Sequence, residues 1–167
     1  MKLTGTIRER VELALKYAGF PMNADKIEYF RQFYAEADVE LTEPALEFCR
    51  RYGVLFADTR LIFEDEADER EFYFDFYPEL PVPRSDKIRR LQHTMTESGR
   101  IGLFAKCGVC PVADIGYYYP ATVFVGDDSL LYCIHEYEEN IRVYNTMADL
   151  LERELAVHEP SGITFVK

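Results

Sequence analysis

Residues 100–137 read RIGLFAKCGVCPVADIGYYYPATVFVGDDSLLYCIHEY, and their reading decides the fold. Four segments, RIGLFAK, PVADIGYYY, ATVFV and LLYCIHEY, are rich in β-branched and aromatic residues and follow one another with short breaks. GDDS, at 126–129, is a turn signal between the last two. Strands that run consecutively pair with their chain neighbours. The pattern predicts an α+β fold with a mainly antiparallel sheet of about five to six strands, not alternating strands and helices.

Two more strands lie upstream, VLFADTRLIF at 54–63 and REFYFDFY at 70–77. Alternation in the second puts Phe72, Phe74 and Phe76 on one face and Tyr73, Asp75 and Tyr77 on the other, with the phenylalanine face expected in the core. EDEADERE, at 64–71, holds six carboxylates and one arginine. Mutual repulsion and low apolarity predict an exposed hairpin loop there.

Helical periods flank the strands. Ile7, Val11, Ala14, Leu15 and Ala18 recur at helical spacing, and Gly19, Phe20 and Pro21 stop the run. A second helix carries Ile27, Phe30, Tyr34 and Ala37. A third opens at Thr42 as N-cap with Pro44 in its first turn, presents Leu46, Cys49 and Tyr52, and ends at Gly53. A fourth is expected over 85–98, capped by Ser85 and ended by Gly99, with Ile88, Leu91 and Met95 buried. Arg84, Lys87, Arg89 and Arg90 make its outer face basic. The closing helix, capped by Asn145, carries Met147, Leu150, Leu151 and Leu155.

A chain of 167 residues predicts one domain, spanning 1–167. At this size about 70% of the unfolded surface can be buried, so no metal or disulfide staple is required. Apolar residues make up 48%, with 12 Tyr, 12 Phe and no Trp, which is ample for a core. No stretch approaches the roughly 20 apolar residues of a membrane span, and the N-terminus lacks the apolar segment of a signal peptide. The expected location is the cytoplasm, where the four cysteines stay reduced. A formal charge of −11 opposes nucleic-acid binding, which needs a basic footprint, and suits solubility or a basic partner.

Cys107, Gly108, Val109 and Cys110 form a Cys-x-x-Cys. A thioredoxin-like pair would follow a strand and open a helix, whose N-terminus lowers the thiol pKa. Here Pro111 and a strand pattern follow instead. A zinc site would need two more ligands, and Cys49, Cys133, His93, His135 and His158 are single and scattered. Cys49 and Cys133 read as core thiols, and His135 as a rim residue. No phosphate-binding glycine loop, catalytic triad spacing or separated carboxylate pair is present. The expectation is a non-enzyme with no catalytic residue, cofactor or metal.

The order of segments also resembles a known family. AGFPMN (18–23), PALEFCRRYGVL (44–55), FYFDFYP (72–78), CPVADIG (110–116), TVFVGDDSLLY (122–132) and YNTMADLLERELA (144–156) are similar to the SUKH superfamily, and within it to the SUKH-3 group of bacterial immunity proteins. The resemblance spans about residues 7–157. Phe20 stands where that group has Trp, Val54 where it has a second Gly, and Ser129 where it has the hairpin Gly. The resemblance implies an α+β fold and an immunity protein that binds a cognate toxin, often a nuclease or deaminase. It carries over no catalytic or binding residue.

Three functional classes follow. The first is an immunity protein that neutralises a basic toxin domain of a polymorphic toxin system. Its expected partner surface is Glu64, Asp65, Glu66, Asp68 and Glu69, together with Asp127 and Asp128. The second is a small thiol- or metal-dependent enzyme built on Cys107 and Cys110. The third is a SUKH-like adaptor for another cellular protein.

Overall fold

The computed structural model describes residues 2–3, 5–18, 21–53, 60–64, 69–116, 120–136, 138–156 and 162–166. In chain order these form β1 (Lys2–Leu3), α1 (Ile7–Ala18), α2 (Ala24–Glu36), α3 (Glu43–Tyr52), β2 (Arg60–Glu64) and β3 (Glu69–Phe76). A 3-10 turn at Tyr77–Glu79 leads to α4 (Arg84–Ala105), then β4 (Val109–Gly116), β5 (Ala121–Gly126), β6 (Leu131–His135) and β7 (Ile141–Tyr144). The chain closes with α5 (Met147–Ala156) and β8 (Gly162–Val166).

The fold is α+β, and every strand pairing among the described residues is antiparallel. Strands β3 to β7 pair in chain order, as the consecutive strand pattern requires. Beyond β3 the sheet continues through β2, β8 and β1, reaching eight strands. In β3, Phe74 and Phe76 are buried, as alternation predicts; the side chain of Phe72 lies outside the described residues. They share a core with Ala113 and Ile115 of β4 and with Val123, Val125, Leu131 and Cys133 further along the sheet.

The helices complete that core. Phe30, Phe33 and Tyr34 of α2, Ala45, Phe48 and Cys49 of α3, and Leu150, Leu151 and Leu155 of α5 belong to it. Val11 and Ala14 tie α1 into the same cluster. Pro111 lies in mid-strand, where a proline cannot donate to the ladder. A β-bulge between Pro111 and Ala113 resolves the conflict, and the Tyr34 hydroxyl donates to the Pro111 carbonyl at 2.7 Å.

The other face of the sheet carries α4, which runs further than its sequence period suggests. RIGLFAK is helix, not strand, and Gly99 does not end the helix; it faces open space inside it. A mid-helix glycine costs about 1 kcal/mol, which tertiary packing offsets. Ile101 supplies that packing against Phe124, Tyr132 and Ile134, with Ala105 one turn on. The stop comes at Lys106, which takes the left-handed conformation at φ 58. Three smaller boundaries also move. The α4 N-cap is Pro83, not Ser85; Met95 is 38% exposed; and Thr146, not Asn145, caps α5, its hydroxyl accepting from the Asp149 N–H.

Candidate functional site

Asp127 and Asp128 occupy the β5–β6 turn. The Ser129 N–H donates to the Gly126 carbonyl, and Ser129 itself sits at φ 65. The turn is therefore a tight hairpin loop that ends in a left-handed residue. Both aspartates are exposed. Asp128 braces the hairpin, since its carboxylate accepts from the Leu130 N–H at 3.0 Å and from the Tyr132 hydroxyl at 2.6 Å. Asp127 has no side-chain partner of that kind among the described residues. Its N–H donates to the Gly108 carbonyl, which docks the turn on the segment joining α4 to β4.

Asp127 rims a recess of about 400 Å³ between that segment and the start of α3. Glu40 and Glu43 stand on the same rim, both exposed. Pro44, Met95 and Val109 supply apolar lining. On the other side of the turn, the last helical turn of α4 presents Leu103, 84% exposed, and Phe104, 55% exposed. The Phe104 ring stands edge-on to Tyr132 at 6.3 Å, and Tyr132 holds Asp128. The turn thus meets Phe104 through Tyr132 and the recess through Asp127.

A strand reading puts Leu103 and Phe104 on opposite faces, so it could not reveal both as surface residues. Once α4 is extended through Ala105, Ile101 defines the buried face and leaves both neighbours outside it.

The acidic segment resolves differently from the expected loop. Glu64 and Glu69 are paired residues at the facing ends of β2 and β3, so the connection is 65–68. Asp65, Glu66 and Asp68 lie outside the described residues, as do the side chains of Glu64 and Glu69.

Cys107 and Cys110 are both free thiols. The pair follows a helix and leads into a strand, the reverse of a thioredoxin-like site. Cys110 is buried, and burial pushes its thiol up to about 12. Its sulfur lies 3.4 Å from the Glu40 carbonyl. Neither feature favours a thiolate.

The structure does gather a cluster that spacing could not. Cys133 and His135 of β6 meet Glu154 of α5, with all three potential ligand atoms within 4.8 Å of one another. Glu154 is buried; its Oε1 accepts from the Tyr144 hydroxyl at 2.6 Å and lies 3.3 Å from the Arg142 guanidinium. Burial pushes the Glu154 carboxyl up, but His135, Tyr144 and Arg142 together outweigh it and hold it below the usual range. Burial, reinforced by Glu154, pushes the Cys133 thiol well up.

A larger groove, about 650 Å³, runs between α4 and the outer sheet face. Its charged groups are mostly spent on one another. Arg90 pairs with Asp114 at 2.8 Å, Arg100 with Glu97 at 3.0 Å, and Arg89 with Asp86. Asp114 also accepts from the buried Tyr77 hydroxyl at 2.7 Å, which marks it as part of the frame.

No family model, curated protein or solved structure matches the chain. Among the described residues, no helix is long and apolar enough to cross a membrane.

Proposed function

We propose that the protein is a cytoplasmic immunity protein that captures a cationic toxin domain, a nuclease or deaminase, on the surface built by the β5–β6 turn and the end of α4. The observation that carries this reading is an exposed apolar pair, Leu103 and Phe104, with Phe104 linked through Tyr132 to the acidic turn whose Asp127 rims the recess with Glu40 and Glu43. Apolar anchors with a charged rim are the usual make-up of a protein-binding patch. The recess suits an arginine or lysine of the partner. The aliphatic stem would lie along Pro44, Met95 and Val109, and the cation would meet the three rim carboxylates. A net charge of −11 adds long-range attraction for such a partner.

The SUKH resemblance supports the same reading. The thiol-enzyme alternative gains no support, because the Cys110 thiol is buried and protonated at neutral pH.

The test begins with the gene directly upstream, where a large toxin with a variable C-terminal domain is expected, and proceeds by co-expression with that domain; an unrelated gene there would count against the reading. The wild-type protein is expected to restore growth and to co-purify with the toxin. A Leu103→Asp/Phe104→Asp variant, folded by circular dichroism, is expected to do neither. Full protection by that variant would show that the toxin docks elsewhere.

A further inference from the structure

We propose that Cys133, His135 and Glu154 form a binding site for one divalent transition-metal ion of the zinc class. The three residues offer one thiolate sulfur, one imidazole nitrogen and one carboxylate oxygen, a donor set suited to Zn²⁺. Their ligand atoms already lie within 4.8 Å of one another. Metal–ligand bonds of about 2.0–2.3 Å in a tetrahedral arrangement place such atoms roughly 3.3–3.8 Å apart. His135 Nε2 is 3.0 Å from Glu154 Oε2, so only small side-chain shifts separate the cluster from a chelate.

The polar groups around the cluster are divided in the way a metal site requires. Glu154 Oε1 is taken by Tyr144 and Arg142, which fixes the carboxylate and leaves Oε2 toward His135. Outer contacts of that kind orient a ligating carboxylate. His135 Nε2 is buried and faces Oε2 at 3.0 Å, so it already meets a second ligand of the cluster.

Charge points the same way. Glu154 and Glu138 set two carboxylates against the single guanidinium of Arg142, to which both are bonded. Exchange of the Cys133 proton for a divalent cation adds one positive charge and brings the cluster to neutrality. The released proton goes to solvent, and no electron transfer is involved.

The site is separate from the Cys-x-x-Cys and independent of the proposed toxin surface, so its failure leaves that reading untouched. The experiment is titration of the full-length protein with Co²⁺, under a phosphine reductant, followed by competition with Zn²⁺. One equivalent of Co²⁺ should give a thiolate-to-cobalt charge-transfer band that Zn²⁺ abolishes. The Cys107→Ser/Cys110→Ser double variant should keep the band. His135→Gln, a partly exposed and milder change than one at Cys133, should lose it, and Tyr144→Phe should weaken affinity about 10-fold or more. Absence of the band in folded wild-type protein would overturn the proposal. So would a band that survives His135→Gln or disappears in the double variant.

Discussion

Phe74 shows how far a single residue can be read ahead of the structure. Alternation alone places it in the core, and it is 2% exposed against Phe48 and Phe76. Phe74→Ala should cost about 3–5 kcal/mol, measured by urea denaturation. A loss below about 1 kcal/mol would contradict the packing. Cys49 and Cys133 are equally legible as buried thiols, because each sits on an apolar stripe. The partnership of Cys133 with Glu154 is not, since it joins residues on different elements through a side-chain contact. Thiol reactivity tests the burial directly. Cys49, Cys110 and Cys133 are buried and only Cys107 is partly exposed. One fast equivalent with a disulfide reagent is expected in the native protein, absent in Cys107→Ser. Two fast equivalents would mean that Cys110 is accessible.

At the scale of elements, the β5–β6 hairpin and the α5 clamp carry the clearest expectations. Ser129 holds φ 65, which costs a residue with a side chain about 1–2 kcal/mol. Ser129→Gly removes that strain but adds freedom to the unfolded chain, so a net gain of about 0.5–1 kcal/mol in a thermal or urea melt is expected. A net loss would mean the turn is built otherwise. The α5 clamp depends on pH. Glu154 has a folded pKa held below its unfolded value, so its contribution is fully present above the unfolded pKa, about 4.3. It is lost as pH falls through the folded value. The stability gap between wild type and Glu154→Gln should therefore close on acidification below about pH 4; parallel curves would contradict the clamp. Strand order and the turn at 126–129 are legible because period and turn residues are local signals. The end of α4 is not, because Gly99 mimics a helix stop and only Ile101 packing on Phe124 overrides it.

For the whole molecule, the fold class follows from consecutive strands, whereas the proposed partner surface emerges only when the turn, α3 and the end of α4 are brought together. Charge acts at this scale in two ways. Under the proposed function, the acidic segment around 65–68 steers a cationic partner from a distance and the rim of the recess makes contact. The two roles separate kinetically. The decisive measurement, made on the toxin domain identified by the co-expression test, is the kinetics of association and dissociation at low and moderate salt. Wild type is compared with a rim variant (Glu40→Gln, Glu43→Gln, Asp127→Asn) and a segment variant (Glu64→Gln, Asp65→Asn, Glu66→Gln, Asp68→Asn, Glu69→Gln). Fold stability should barely change in the rim variant, since its exposed charges contribute little. The rim variant should dissociate faster, and the segment variant should associate more slowly with a flatter salt dependence. Dissociation rates of the rim variant equal to wild type at both salt concentrations would contradict the recess as the contact surface.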